Sequence, residues 1–263
     1  MLNRMIKKIF LFFFVFLFLF GFISAIVPFG ANLTEVRSET SSPDAPQSVS
    51  AQAGNVTELN IFGYSVTRFW QGYFGNVSGT IQLADSGDNV MYNWSLASPE
   101  GEIYASLNDS ISWQDVQCFN FSATGDYLDD SANAGATSLY GLNLTQLESS
   151  FNIPSDSVDG VDETFSFFGV GTHDLFYTNS LEFSEGECRS TRVYGDSGSG
   201  ESDEFEEILL YDPGARSVIF TTILEQDVLG FDSGSHDFEM MVLEDGSGTD
   251  VAVTPYYFYV ELQ

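Results

Sequence analysis

The chain reads as an all-β protein: an antiparallel, jelly-roll-like β-sandwich with one short helix, preceded by a signal or anchor helix. Three observations predict it. From Asn55 onward, short apolar or alternating runs are punctuated by Gly, Asp, Asn and Ser clusters, the rhythm of strands joined by tight turns. Only Leu144 to Phe151 has helical spacing, with Leu144, Leu147 and Phe151 on one face and Asn143 placed to cap it. No internal repeat points to a propeller, and a sheet must bury one face against a second layer, so a sandwich is the economical architecture.

The elements follow in chain order. Arg4, Lys7 and Lys8 precede an apolar run from Ile9 to Ile23 that holds eight phenylalanines, and small residues follow at Ser24-Ala25. This is the layout of a secretory signal over residues 1–25, cleaved after Ala25. The alternative is an uncleaved anchor, because Ile9 to Val27 approaches the ~20 residues of a membrane span. Residues 26–54 read as a linker or stalk, most clearly from Arg37 to Gly54, which is rich in Ser, Ala, Pro and Gln and has no aromatic residue.

A single domain over 55–263 follows. Its candidate strands are Thr57 to Phe62, Thr67 to Tyr73, Val77 to Leu83, Val90 to Leu96, Glu102 to Ala105 and Ser112 to Phe121. Later candidates are Thr164 to Phe168, Asp174 to Tyr177, Cys188 to Tyr194, Phe205 to Tyr211, Ser217 to Leu224, Phe238 to Leu243 and Pro255 to Leu262.

Seven Asn-x-Ser/Thr acceptors for N-glycosylation lie at Asn32, Asn55, Asn76, Asn93, Asn108, Asn120 and Asn143, and none lies in the remaining 120 residues. On a strand, Asn and the hydroxyl residue share one face and the middle residue takes the other. The middle residue is apolar in six of the seven, the exception being Asp109. Tyr92, Trp94 and Leu96 are therefore expected to face the core, with Asn93 and Ser95 outward.

Charge narrows the function. Both lysines and Arg4 belong to the signal, so the remainder carries five arginines against 38 carboxylates. Nucleic acid and anionic lipid need Lys and Arg to neutralise phosphate, which excludes them as partners. A membrane is reached only through the N-terminal segment, if it stays uncleaved. Cys118 and Cys188 are expected to form one disulfide in an exported chain; two cysteines are too few for a structural zinc site.

Chemistry-bearing clusters are sparse. The loops holding Asp85 and Asp88, Asp156, Asp159 and Asp162, and Asp245 and Asp250 offer hard oxygen ligands suited to calcium, though none matches an EF-hand. A further acidic cluster lies at Asp126, Asp129 and Asp130. The run from Asp196 to Glu207 reads as a solvated acidic loop. His173 and His236 are the available imidazole bases; each is followed by Asp, and neither accompanies a nucleophile motif. Trp70 and Trp113, beside polar residues, are the aromatics best placed to stack on sugar rings, against the commoner role of filling a core. No cofactor is called for; calcium is the possible ion.

Gly54-Asn-Val-Thr-Glu-Leu, Trp70-Gln-Gly-Tyr-Phe-Gly-Asn-Val-Ser-Gly-Thr, and Tyr92-Asn-Trp-Ser through Gly101-Glu-Ile-Tyr-Ala resemble a family of exported archaeal cell-surface proteins. So do Leu175-Phe-Tyr-Thr-Asn-Ser-Leu, Phe205-Glu-Glu-Ile-Leu-Leu-Tyr and Thr254-Pro-Tyr-Tyr-Phe-Tyr-Val. The likeness spans most of residues 54 to 263 and brings no activity with it.

The expectation is an extracellular or envelope-tethered glycoprotein with a structural, adhesive or filament-forming role, not an enzyme. Its expected partners are other envelope proteins, further copies of itself, or glycans. A carbohydrate- or calcium-dependent binding module is the alternative, and an extracellular hydrolase the third reading. For assembly, the apolar stretches Ile26 to Phe29 and Leu33 to Val36 are expected to add as a strand to a neighbour's sheet edge.

Overall fold

The computed structural model describes residues 27–42, 44–121, 142–195, 204–245 and 253–262. The fold is all-β and antiparallel. Its strands are β1 (Phe29–Gly30), β2 (Trp70–Gly75), β3 (Thr80–Ala84), β4 (Val90–Ser95), β5 (Gly101–Ser106), β6 (Gln117–Cys118), β7 (Phe176–Thr178), β8 (Leu181–Phe183) and β9 (Ser190–Val193). They continue with β10 (Phe205–Asp212), β11 (Ser217–Ile223), β12 (Val228–Leu229), β13 (Ser235–His236), β14 (Phe238–Leu243) and β15 (Tyr257–Leu262). Among the described residues two short helices, α1 (Leu144–Ser150) and α2 (Val161–Thr164), accompany them.

One seven-stranded sheet organises the molecule, in the order β1-β15-β5-β11-β10, with β6 and β9 sharing the far edge of β10. Its central strands are buried on both faces, so side chains of period two feed two separate cores. Ile103, Ala105, Leu209, Tyr211 and Phe220 point to one side, where α1 and Val161 and Phe165 of the α2 region join the core and β14, paired with β2, packs on β11. Tyr104, Ile208, Leu210 and Ile219 point to the other, under the β7–β8 hairpin with Phe176 and Phe183, and against Trp113.

The disulfide follows from the register. Cys118 sits opposite Leu210 and Ser190 opposite Ile208, so the two cysteines meet where β6 and β9 run end to end along β10, with Cα atoms 5.2 Å apart. Gly101, at φ +128, opens β5 so close to β15 that a Cβ would collide with the Glu261 carbonyl. Helix α1 begins where the pattern places it: the Asn143 side chain accepts from Gln146 N (2.9 Å) and the Gln146 side chain accepts from Asn143 N (3.1 Å), a capping box.

Several expected elements differ. Residues Thr57 to Phe62 form no strand and stand in solvent. The expected strand Ser112 to Phe121 shrinks to β6, because Ser112 and Asp115 close a turn (Asp115 N to Ser112 O, 2.9 Å) that drops Trp113 into the core. Thr164 to Phe168 instead ends α2 and leaves only a bridge from Phe167 to Ser190. The sequence pattern does not mark the hairpin partner β8, the pair β12–β13 or the helix α2; each has four residues or fewer, too short to establish a period.

The stretch expected as linker also departs from its role at its start. Phe29 pairs with Val260 and Gly30 with Tyr259, so the first segment expected to reach a neighbour instead closes the edge of its own sheet. Most of Ile9 to Val27 lies outside the described residues. Among the described residues no helix is long and apolar enough to cross a membrane.

Candidate functional surface

The ribbon β3–β4 carries the most unusual surface. Its register places Ile81 opposite Trp94 and Leu83 opposite Tyr92 on one face, and Thr80 opposite Ser95 and Gln82 opposite Asn93 on the other. The alternation expected around the Asn93 acceptor is therefore present. The expected burial is not: Ile81, Leu83, Tyr92 and Trp94 are each more than half exposed, because the ribbon pairs with no other strand and packs under no layer among the described residues. Tyr92 and Trp94 instead lie against each other, ring centroids 4.9 Å apart.

The other acceptors divide by environment. Asn32, Asn55, Asn76 and Asn93 are exposed, whereas Asn108, Asn120 and Asn143 are half-buried. Asn108 Oδ1 accepts from Ser110 N, and Asn120 and Asn143 bridge each other. Of the apolar middle residues, Val77, Phe121 and Leu144 pack on the core, while Leu33, Val56 and Trp94 remain exposed, so the core-facing expectation holds for only half of them.

The aspartates expected to ligate calcium are spent locally or dispersed. Asp85 accepts from Gly87 N (2.8 Å), Asn89 N (3.0 Å) and Asn89 Nδ2, and these bonds, the Asn89 side chain foremost, hold it below the usual carboxylate range. Asp88 takes the left-handed conformation (φ 59) that closes the same β3–β4 turn. Asp159 accepts from Ser157 Oγ (2.7 Å) and Thr67 Oγ1 (2.8 Å), while Asp156 is exposed beside it. Asp245 ends a described stretch; Asp250 lies outside the described residues, as do Asp126, Asp129 and Asp130.

Where carboxylates do converge, the grouping is one the sequence does not announce. Glu148 of α1 meets Asp162 and Glu163 of α2 with ligand oxygens within 4.8 Å of one another. Glu148 Oε1 already accepts from Val161 N (3.1 Å), and burial raises the pKa of both Glu148 and Glu163.

Both histidines are structural in their contacts. His173 is fully buried; its Nδ1 donates to the Asp174 carbonyl (2.7 Å) and its Nε2 accepts from Cys188 N (3.1 Å), bracing the disulfide. Burial lowers its pKa, consistent with the neutral ring this pairing requires. His236 bonds Asp232 through Nε2 (2.8 Å) and lies edge-on to Phe74, while Arg37 reaches Asp232 (3.1 Å). Neighbouring Asp237 turns away, accepting from Val77 N (2.7 Å) and Asp227 N (3.2 Å). Among the described residues no serine, threonine or cysteine side chain bonds either imidazole.

The tryptophans proposed for sugar stacking belong to the interior. Trp113 is buried between Tyr104 and Tyr259, at 4.9 and 5.1 Å. Trp70 is half-buried, packs against Phe165 and Phe220, and donates its indole N–H to the Asp159 carbonyl (2.8 Å). A cavity of about 70 Å³ lined by Leu147, Phe151, Val218 and Tyr256 is far below the ~300 Å³ at which ligand pockets begin.

Sequence reasoning misses a set of buried glutamates. The run from Asp196 to Glu207 reads in sequence as a solvated loop; residues 196–203 lie outside the described residues, but Glu206 and Glu207 are inside strand β10 and buried. Glu207 Oε2 accepts from Met241 N (2.9 Å), its other oxygen has no partner, and burial drives its pKa well above the carboxylate range. Burial pushes Glu206 up to about 7.

Glu102 and Glu261 face each other across β5 and β15. Tyr104 Oη and Asn179 N donate to Glu261 (3.2 and 2.9 Å), and Tyr177 N donates to Glu102 (3.3 Å), leaving Glu102 Oε2 unpaired. Burial pushes Glu102 up to about 8, against the Tyr177 hydrogen bond and with the charge of Glu261. Nothing in residue type distinguishes these acids from the exposed ones.

No protein-family model, curated protein or solved structure matches the chain.

Proposed function

We propose that this chain is an exported, N-glycosylated protein of the cell surface, with a structural, adhesive or filament-forming role and no catalytic activity of its own. The carrying observation is the set of seven acceptors confined to the first 143 residues behind a secretory-type segment. Two features support it. The Cys118–Cys188 disulfide suits an oxidising compartment. The β3–β4 ribbon carries one acceptor on its polar face and an apolar face open to a partner.

The test is protease shaving of intact cells combined with glycopeptide mass spectrometry. Release of glycan-bearing peptides spanning Asn55, Asn76 or Asn93 without cell lysis is the expected result. Recovery of the chain only from the cytosol, with all seven asparagines bare, overturns the reading.

A further inference from the structure

Among the described residues the β3–β4 ribbon stands as a two-stranded sheet by itself. A two-stranded ribbon alone is marginally stable, and unpaired strand edges are templates for another strand. Among the described residues both outer edges of this ribbon are open, and one of its faces is apolar and exposed. The tract Leu59 to Val66 shows the converse defect. Its sequence is that of a strand, with Phe62, Tyr64 and Val66 alternating with Gly63 and Ser65 over five residues, the length of β3. Yet it pairs with no strand among the described residues, its Tyr64 hydroxyl donating to the Ser42 carbonyl (2.9 Å), and Ile61 and Phe62 are 88% and 89% exposed.

Tract and ribbon attach to opposite ends of β2. The tract enters at Trp70, where Thr67 is tied to Asp159, and the ribbon follows Gly75. Six residues of strand put about 20 Å between those ends.

We propose that tract Leu59–Val66 of one copy adds as a third strand to the β3–β4 ribbon of the next, a head-to-tail joint between copies of this chain. The inference rests on the surface-protein reading above and deepens its filament-forming branch.

Charge favours a second copy as the occupant. The chain carries a formal charge of −30, so copies repel over most of their surface. From residue 55 to 84 the only charged side chains are Glu58 and Arg68, which cancel, and neither strand of the ribbon carries a charge. The joint therefore lies where approach is least opposed. On the shared face Phe62, Tyr64 and Val66 of the tract would lie beside Ile81, Leu83, Tyr92 and Trp94 of the ribbon, all of them apolar and exposed. Main-chain hydrogen bonds add affinity, as in other strand-addition complexes. Because donor and acceptor are different surfaces, the contact is heterologous and propagates into a ring or an open filament.

The experiment uses the exported, glycosylated full chain at high salt, followed by sedimentation velocity and negative-stain electron microscopy. The unaltered chain should form polymers. Phe62→Pro, which removes an N–H and the strand geometry of the tract, and Tyr92→Asp, which charges the ribbon face while keeping the Asn93 acceptor, should each weaken association at least tenfold.

Mixing the two variants is decisive: the intact tract of one meets the intact ribbon of the other, so a discrete 1:1 dimer forms and grows no further. Ile61→Asn and Leu83→Asn repeat the test with milder changes, and retention of the disulfide and of the circular dichroism spectrum reports folding. A monomeric native chain overturns the joint, as does Phe62→Pro that still self-associates, or a mixture that stays monomeric. Polymers insensitive to all four substitutions overturn the joint while leaving the filament reading intact; a cytosolic, unglycosylated chain overturns the surface reading instead.

Discussion

Glu102→Gln should make this protein more stable at neutral and alkaline pH and leave it nearly unchanged in acid. Glu102 is 3% exposed, and its Oε1 accepts from Tyr177 N while Oε2 has no partner. Burial, the largest influence, lifts its pKa from 4.5 to about 8. A carboxyl whose pKa is raised on folding holds a proton that the unfolded chain has already released. Its contribution to stability is complete below pH 4.5, declines as pH rises, and is exhausted near pH 8. At ~1.36 kcal/mol per pH interval, the loss over that window has a ceiling of about 5 kcal/mol.

The glutamine retains the acceptor for Tyr177, never ionises, and presents its amide N–H where the orphan oxygen stood, near Glu261. Urea unfolding from pH 4 to pH 9 at fixed high salt gives the comparison, with fluorescence of Trp113, 4.9 Å from Tyr104, as a local probe. The native chain should lose stability steeply between pH 5 and 8, and the variant should be flatter, with a difference of several kcal/mol by pH 8. A difference between the two that does not vary with pH would refute the assignment, as would a variant less stable at pH 8.

Other outcomes follow from the same contacts. Replacing Cys118 and Cys188 together by serine should cost about 4 kcal/mol in urea unfolding, since the bridge closes a loop across a sequence separation of 70. Asn143→Ala removes the α1 capping bond and should cost about 1 kcal/mol, whereas Asn143→Asp, which also abolishes the acceptor, should retain that stability. Glycopeptide mass spectrometry should find the exposed Asn32, Asn55, Asn76 and Asn93 occupied to a greater extent than the half-buried pair Asn120 and Asn143, which bridge each other.

Much of the fold was legible because local chemistry dictates it. The strand Phe238 to Leu243 matches its expected bounds, and β5, β10, β11 and α1 lie within a residue or two of theirs. Each carries a clean signal: an apolar run between turn residues, or a capping asparagine before a 3.6-residue period. The candidate surface was legible only in part. Alternation assigned Ile81, Leu83, Tyr92 and Trp94 to one face but could not say whether a second layer would cover it. Burial is a property of what packs above a strand, and that depends on residues far away in sequence.

The sequence alone therefore determined the export signal expectation, the acceptors, the charge and the positions of most strands, since these depend on residue type and on neighbours a few positions away. Tertiary structure decided which apolar faces were used. It drew Trp70 and Trp113 into the core, closed the sheet edge with Phe29 and Gly30, and buried Glu102, Glu207 and Glu261 among strands that meet from distant parts of the chain. Among the described residues it also left Leu59 to Val66 and the β3–β4 ribbon without a further strand beside them. Pairing and burial are relations between distant segments, so the same strand-forming residues become core, edge or open joint according to what the fold brings beside them.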